Sequence, residues 1–486
     1  MGGIEQAPVL LALEQVGPKG WIRDMLCLEL DSEYDASHIT SILKSAWASF
    51  KERTPMVGTE AVPVGPDVKP TGMLKLQPYR EGEIVDFVVK DHRSDPGLPS
   101  FAQLKAQNFP NASMDTEKLC LRGRNGEWPT FGVDRLPTNM MQANLIKGGL
   151  LLNHLCFHAF ADGTTMWKFI ELFAEDVRRA QGLSIHQAAE IPITDRAKLL
   201  RSNKDRACAN FAQEHLEFVH LPFTPEGLPD GLTKAQHHAH VFRFTPEAIR
   251  ALKEECAPRN VRLLKDKIPA AELPEFVTTN DVLTALLWRS VQRAEQSDHS
   301  TIAADKHSVA QVALDARRRA HETIHPHTLG NILGYAAIAL PLSHVLSPDT
   351  ASLADLAVSV RQAVAKCDKS YHDELAHYIE NMDDVNRLAG IAFLDMPGAN
   401  VLQSNWREFD YYNIEWGPAF GHHLKAVRFP AHGVCSGFQI ILPCPPDAPE
   451  GTVEMLVDLS DDAWSRMMTD EIWNRYAMNP TTTDYV

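Results

Sequence analysis

The sequence predicts a mixed α/β protein folded as two domains, and three observations carry that expectation. Strand-like and helix-like periodicities alternate along the whole 486-residue chain. A chain of this length has two to three domains as its prior and ample material for large cores. One Pro- and Gly-rich stretch, "LPFTPEGLPDG" at 221–231, divides it near residue 225. The expected partition is therefore 1–220, a linker at 221–231, and 232–486.

The elements follow in chain order. "FVVKDHRSDPG" reads as a strand over Phe87 to Val89 running into a polar turn. "LIKGGLLLNHLCF" reads as a strand approached through a Gly-Gly turn. After Asp162, the residues Met166, Phe169, Ile170, Phe173 and Val177 recur at helical spacing, with Thr164 or Thr165 available as N-cap. "FTPEAIRALKEEC" starts a helix with Thr245 as cap and Pro246 at the first helical position, burying Ile249, Leu252 and Cys256. "TTNDVLTALLWRSV" starts another, capped by Thr279 or Asn280, with Val282, Leu283, Leu286 and Leu287 facing inward. "TLGNILGYAAIALPLSH" has too short an apolar core for a membrane span and reads as a buried strand. No short repeat is visible.

Composition excludes several classes. The 47 basic and 63 acidic side chains give a net charge of −16, with no basic stripe to offset it, so nucleic acid is an unfit partner. Eight cysteines stand singly, without a CxxC pair, as expected of reduced structural thiols in the cytoplasm. The start "MGGIEQAPVLLALEQ" has no basic segment followed by a long apolar core, so neither a secretory signal nor membrane association is expected.

The stretch "GGLLLNHLCFHAFADGTTM" (148–166) carries the chemistry. His158 and Asp162 form an HxxxDG hexapeptide that occurs once, although about one HxxxD is expected by chance among 21 histidines. The bland alternative is a buried, hydrogen-bonded histidine with an aspartate capping the next helix. The strand-to-helix junction favours a functional reading, because such junctions present reactive groups from a rigid scaffold. A neutral imidazole there can take a proton from an alcohol near neutral pH. An aspartate buried beside it needs a cation, and "ALDARRRA" offers Arg317 and Arg319.

With those residues in view, the chain resembles the BAHD acyltransferase family, most closely its fungal members of the trichothecene 3-O-acetyltransferase type. The resemblance runs through "KDHRSDPGLPSFAQLKAQNFP", "IKGGLLLNHLCFHAFADG", "VTTNDVLTALLWRS", "LDARRR" with "LGN", "SNW", and "VEMLVDLSDDAWSRMMTD". It implies two chloramphenicol-acetyltransferase-like α/β domains, mixed sheets flanked by helices, with an active-site channel at their interface. It further implies His158 as general base, Asp162 as its structural support and Arg317 as the ion-pair partner of Asp162. Gly163, Ser404, Asn405 and Trp406 become candidates for the substrate and oxyanion pocket. The family's second signature, Asp-Phe-Gly-Trp-Gly, is degenerate in "YYNIEWGPAFG"; the register placing Glu415, Trp416 and Gly417 on it is preferred to one starting at Asn413.

The implied activity is transfer of an acyl group, acetyl by preference, from acyl-CoA to a hydroxyl of a small secondary metabolite such as a terpenoid, polyketide or alkaloid. Acyl-CoA is then a co-substrate, with no bound cofactor and no metal, and the enzyme a cytoplasmic monomer. Alternatives are an N-acyltransferase, a carrier-protein-fed condensation-type enzyme, and a non-acyl-transferring or non-catalytic binding descendant of the fold.

Three motifs read as decoys. "GVCSG" has the form of a nucleophile elbow around Cys435, but a strand rather than a helix follows it. "QHHAH" (His237, His238, His240) lacks companion ligands and reads as edge-strand or solvated histidines. "HDELAH" (His372 to His377) reads as an exposed helix face. His154, four residues before His158, lacks the glutamate of a zinc-binding HExxH and reads as a packing neighbour.

Overall fold

In the computed structural model, the described residues are 9–478 apart from 124–127, 131, 192–209, 266–267, 298–302, 304 and 321–323. Two mixed sheets organise the chain. The first has five strands in the order Leu424–Arg428, Trp21–Glu29, Gly149–Phe157, Asn139–Ile146, Phe87–Asp91. The second has six, in the order Leu333–Pro341, His307–Asp315, Val401–Asn405, Phe438–Leu442, Val453–Ser460, His237–Phe244. Each sheet mixes antiparallel pairs with parallel ones, and the expected mixed α/β architecture is present.

The two central strands of the first sheet form a hairpin whose turn is Lys147-Gly148, Gly148 adopting φ +77°. Every residue of Gly149–Phe157 is buried, because Leu150 and Leu152 pack with the helices Ala36–Arg53 and Gly163–Ala180, and Leu151 with Phe101, Leu104, Met114 and Leu119. The helix Gly163–Ala180 follows, its apolar stripe of Met166, Phe169, Ile170, Phe173 and Val177 fully buried. It packs against the helix Ala36–Arg53, where Phe50 meets Phe169 and Phe173 edge to face or tilted.

The halves are interlocked rather than merely adjacent. Leu424–Arg428, from late in the chain, crosses to pair antiparallel with Trp21–Glu29. Its last residue, Arg428, forms a buried ion pair with Glu454 of the second sheet at 3.0 Å. One hydrophobic core accordingly joins Leu152, Phe157 and Phe169 to Trp406, Trp416, Phe429 and Ile440.

Two caps differ from expectation. Asp162, not Thr164 or Thr165, caps the helix Gly163–Ala180, its Oδ1 accepting from the Thr165 backbone N–H at 2.9 Å. Thr278, not Thr279 or Asn280, caps Thr279–Glu295, in a reciprocal box with Asp281. The helix Pro246–Glu255 begins as expected, with Thr245 as cap.

The decoys resolve cleanly. Cys435 is buried and precedes the strand Phe438–Leu442. The strand His237–Phe244 is an edge strand, and its His237 and His238 are hydrogen-bonded to Asp458 and Asp461. His372 is not exposed: it is fully buried, because Gly334 has no side chain where a Cβ would stand 2.3 Å from its Nε2. His154 is buried, its Nε2 meeting the Asn139 amide at 3.1 Å. The seven described cysteines are free thiols; Cys208 lies outside the described residues. Among the described residues no helix is long and apolar enough to cross a membrane.

Candidate active site

A cavity of about 700 Å³ opens between the halves. His158, Asp162 and Gly163 line it from the first half, and Ser404, Asn405 and Trp406 from the second. Sequence-remote residues thus line one cavity.

His158 sits one residue past the end of its strand, where its backbone N–H donates to Gly20 O at 2.9 Å and its carbonyl accepts from Asn331 Nδ2 at 2.6 Å. Segments leading into both sheets therefore hold its backbone. Nδ1 is shut away from solvent, which leaves Nε2 as the nitrogen facing the cavity. Burial pushes the imidazole below its ordinary pKa, against the opposing pull of neighbouring carbonyls and of the Asp162 charge. At neutral pH the ring is consequently uncharged and free to accept a proton.

Asp162 is turned the other way. Oδ1 caps the helix, and Oδ2 accepts from the Ile332 N–H at 2.9 Å. The Arg317 guanidinium grips both oxygens, at 2.6 Å and 3.2 Å. Arg317 is buried and spends its other donors on the carbonyls of Thr328 and Gly330, on Thr165 Oγ1 and on Asp315 Oδ1. Asp162 and Asp315 hold it above even the usual arginine range despite desolvation. Of the two arginines the residues offered, Arg319 goes elsewhere, donating to Val364 O at 3.1 Å.

This arrangement satisfies the functional and the bland readings together: Asp162 is a helix cap and also the anchor of a turn that presents His158. Sequence reasoning missed the supporting residues Thr165, Asp315 and Asn331, together with Glu14, whose Oε1 accepts from the Asn331 N–H at 3.1 Å. Asp315 in "LDARRR", Asn331 in "LGN" and Thr165 as a cap candidate stood in view, but their roles did not. Gly163 has a direct steric reason: a Cβ there would lie 2.8 Å from the Phe409 ring and 3.3 Å from Trp406 Nε1.

On the opposite wall, Trp406 Nε1 donates to Ser404 Oγ at 3.1 Å. The Asn405 amide nitrogen donates to Asn280 Oδ1 at 3.2 Å, while its oxygen accepts from the Arg407 N–H at 3.0 Å. Glu415, Trp416 and Gly417 do not line the cavity. Trp416 and the turn after it hold the far end of the helix Gly163–Ala180, where Gln181 Nε2 donates to Trp416 O at 2.7 Å and Gln181 Oε1 accepts from the Ala419 N–H at 3.1 Å.

A two-sheet α/β fold with a histidine facing an interface cavity has the makings of an active site. The transferase family model matches residues 67–470, and the chain belongs to that family, the BAHD family that the sequence resembled. Among curated relatives, the chain is 24% identical to the enoyl-CoA isomerase/hydratase claC of Penicillium crustosum over 95% of its length, but spans only half of that protein. It is 24% identical to the eremophilane O-acetyltransferase ORF8 of Penicillium roqueforti, covering 98% of this chain and 99% of that one. The fold matches that of F. graminearum TRI101 complexed with coenzyme A and T-2 mycotoxin, with a TM-score of 0.76 at 20% identity over 97% and 99% of the two chains.

Proposed function

We propose that this protein is a CoA-dependent O-acyltransferase that moves an acetyl group from acetyl-CoA to a hydroxyl of a small secondary metabolite, with His158 as general base. The observation that carries the reading is the placement of His158 on a cavity shared by both halves, its Nδ1 buried and its Nε2 left to face that cavity. In this mechanism Nε2 takes the hydroxyl proton as the oxygen attacks the thioester carbonyl. The tetrahedral intermediate then breaks its C–S bond, and the departing thiolate recovers the proton from His158. No acyl-enzyme is needed.

The developing oxyanion requires preorganised donors, each typically worth about 3–4 kcal/mol. Ser404 is the group best placed in this reading, because accepting from Trp406 leaves its own hydroxyl proton to give. Trp406 and Asn405 then shape the pocket, and Gly163 keeps room for it. Asp162 and Arg317 act through the turn that fixes His158, and Glu415, Trp416 and Gly417 through helix order.

The names of relatives such as the eremophilane O-acetyltransferase support an acetyl donor and a terpenoid-like acceptor. The free described thiols fit a reducing cytoplasmic setting, and a monomer is the state this reading assigns. The domains are 1–220 and 232–486, joined by 221–231, with Leu424–Arg428 as the second domain's contribution to the first sheet.

The test is calorimetric titration with acyl-CoAs from acetyl to hexanoyl and with malonyl-CoA, followed by CoA release in the presence of an alcohol panel. Saturable binding of one donor and release abolished in His158→Ala are expected. Absence of binding to every CoA would sink the proposal and favour a carrier-bound donor or non-acyl chemistry.

A further inference from the structure

The face of the second sheet that floors the cavity carries a hydroxyl that the reaction above does not use. Tyr335 lies on the strand Leu333–Pro341, lines the cavity and is only 5% exposed. Among the described residues its hydroxyl meets no hydrogen-bond partner, and it is not sealed away from the cavity. Burial pushes the phenol up, so it stays protonated and is a donor at any working pH. The residue is firmly held: its carbonyl accepts from Cys367 Sγ at 3.5 Å, and the Phe218 ring meets its own edge to face at 6.2 Å. A buried donor without a partner is destabilising, and a bound molecule that supplies an oxygen relieves it.

Strand register fixes where this donor stands relative to the chemistry. Tyr335 is level with Ala313, and Ser404 with Ile440. The parallel pairing of Gln403 with Val312 puts Ser404 level with Ala313 one residue further on. All four line the cavity, in one row across the sheet. Tyr335 and Ser404 are thus two strands apart, about 10 Å between Cα atoms, with only the methyl group of Ala313 between them. Around Tyr335 the wall is apolar, made by Trp128, Leu333, Phe393, Leu402 and Phe438, which pack in the same core cluster. An apolar lobe is unfit for the phosphates of CoA, so its occupant is the acceptor.

We infer that Tyr335 is a specificity-determining residue, its hydroxyl donating a hydrogen bond to a second oxygen of the acceptor, a ring carbonyl or ether. The acceptor is then an apolar fused-ring alcohol. Its reacting hydroxyl lies between His158 and Ser404, its hydrocarbon skeleton over Ala313, and its second oxygen on the far side of the ring system. An alcohol lacking that oxygen leaves the phenol unpaired when it binds and is discriminated against. The inference rests on the O-acyltransferase reading above and narrows its acceptor from any alcohol to a doubly oxygenated one.

The experiment uses the full chain and matched pairs of probes: hydroxydecalones with the ketone at successive ring positions, each beside the decalinol that has CH2 in place of the carbonyl. Affinity is measured by calorimetry in the presence of coenzyme A, and kcat/KM by CoA release from acetyl-CoA, for wild type and Tyr335→Phe. At least one hydroxydecalone should bind wild type and exceed its decalinol about tenfold or more. Tyr335→Phe should lower affinity and kcat/KM for that hydroxydecalone by a similar factor and leave the decalinol unchanged. Its melting temperature should equal or exceed that of wild type, because the deleted hydroxyl has no partner in the fold. A wild type that prefers no ketone, a preference that survives Tyr335→Phe, or an equal loss for both members of a pair overturns the inference while the transferase reading stands. So does failure of every hydroxydecalone to bind while acetyl-CoA binds. Failure of acetyl-CoA itself to bind overturns both.

Discussion

The two ends of the helix Gly163–Ala180 are fixed by different means, and the contrast separates chemistry from architecture. At its start, side chains do the holding: Asp162 caps the helix and is gripped by buried Arg317. At its end, about 27 Å away for 18 residues, the Gln181 side chain holds backbone, namely the Trp416 carbonyl and the Ala419 N–H. The start faces the cavity and the end does not. Contacts made to backbone tolerate a change of side-chain identity, which explains how "YYNIEWGPAFG" can drift from its family pattern while the helix stays anchored. Contacts made between Asp162 and Arg317 do not tolerate it.

That contrast breaks in a predicted order. His158→Ala should reduce transfer by about 10²–10⁴-fold with an unchanged melting temperature, measured by CoA release and thermal denaturation. Asp162→Asn should cost roughly 3–5 kcal/mol, because it leaves Arg317 buried with only Asp315 to answer its charge. Its activity should fall as well, since the turn that presents His158 loses its anchor; denaturant titration beside the rate assay separates the two effects. Gly163→Ala should slow transfer roughly 10- to 100-fold, as Phe409 or the helix start shifts to make room, with little change in stability.

At the far end the balance inverts. Gly417 adopts φ +85° and ψ 166°, a region essentially reserved for glycine, and a Cβ there would stand 2.6 Å from Gln181 Nε2. Gly417→Ala should therefore cost about 1–3 kcal/mol in a denaturant titration, with turnover per folded molecule nearly unchanged. If it abolished turnover in the folded state, the far end would carry chemistry and the comparison would fail.

The same contrast marks what the sequence could reveal. His158, Asp162 and the apolar stripe of the helix are local patterns, and they were legible. The choice between Arg317 and Arg319 was not decided by the residues themselves, because both stand on one turn; only the fold sends Arg317 to Asp162 and Arg319 to the Val364 carbonyl. The cap at Asp162 was misassigned to the threonines because one carboxylate here caps and pairs at once. Contacts set by distant segments stayed hidden: Leu424–Arg428 crossing to the first sheet, Asn331 holding the His158 carbonyl, and the burial of His372 against Gly334. Each needs two parts of the chain that carry no mutual signal in one sequence.

The most direct test of the central claim, that His158 is an uncharged base at its working pH, is the pH dependence of CoA release at saturating acetyl-CoA. Burial depresses the imidazole, so protonation should disable it only below the ordinary histidine range. Wild type should hold its rate as pH falls through about 6.5 and lose it at more acidic values, with that limb absent from the residual activity of His158→Ala. An acid limb centred at or above about 6.5, or the same limb persisting in His158→Ala, would contradict the account.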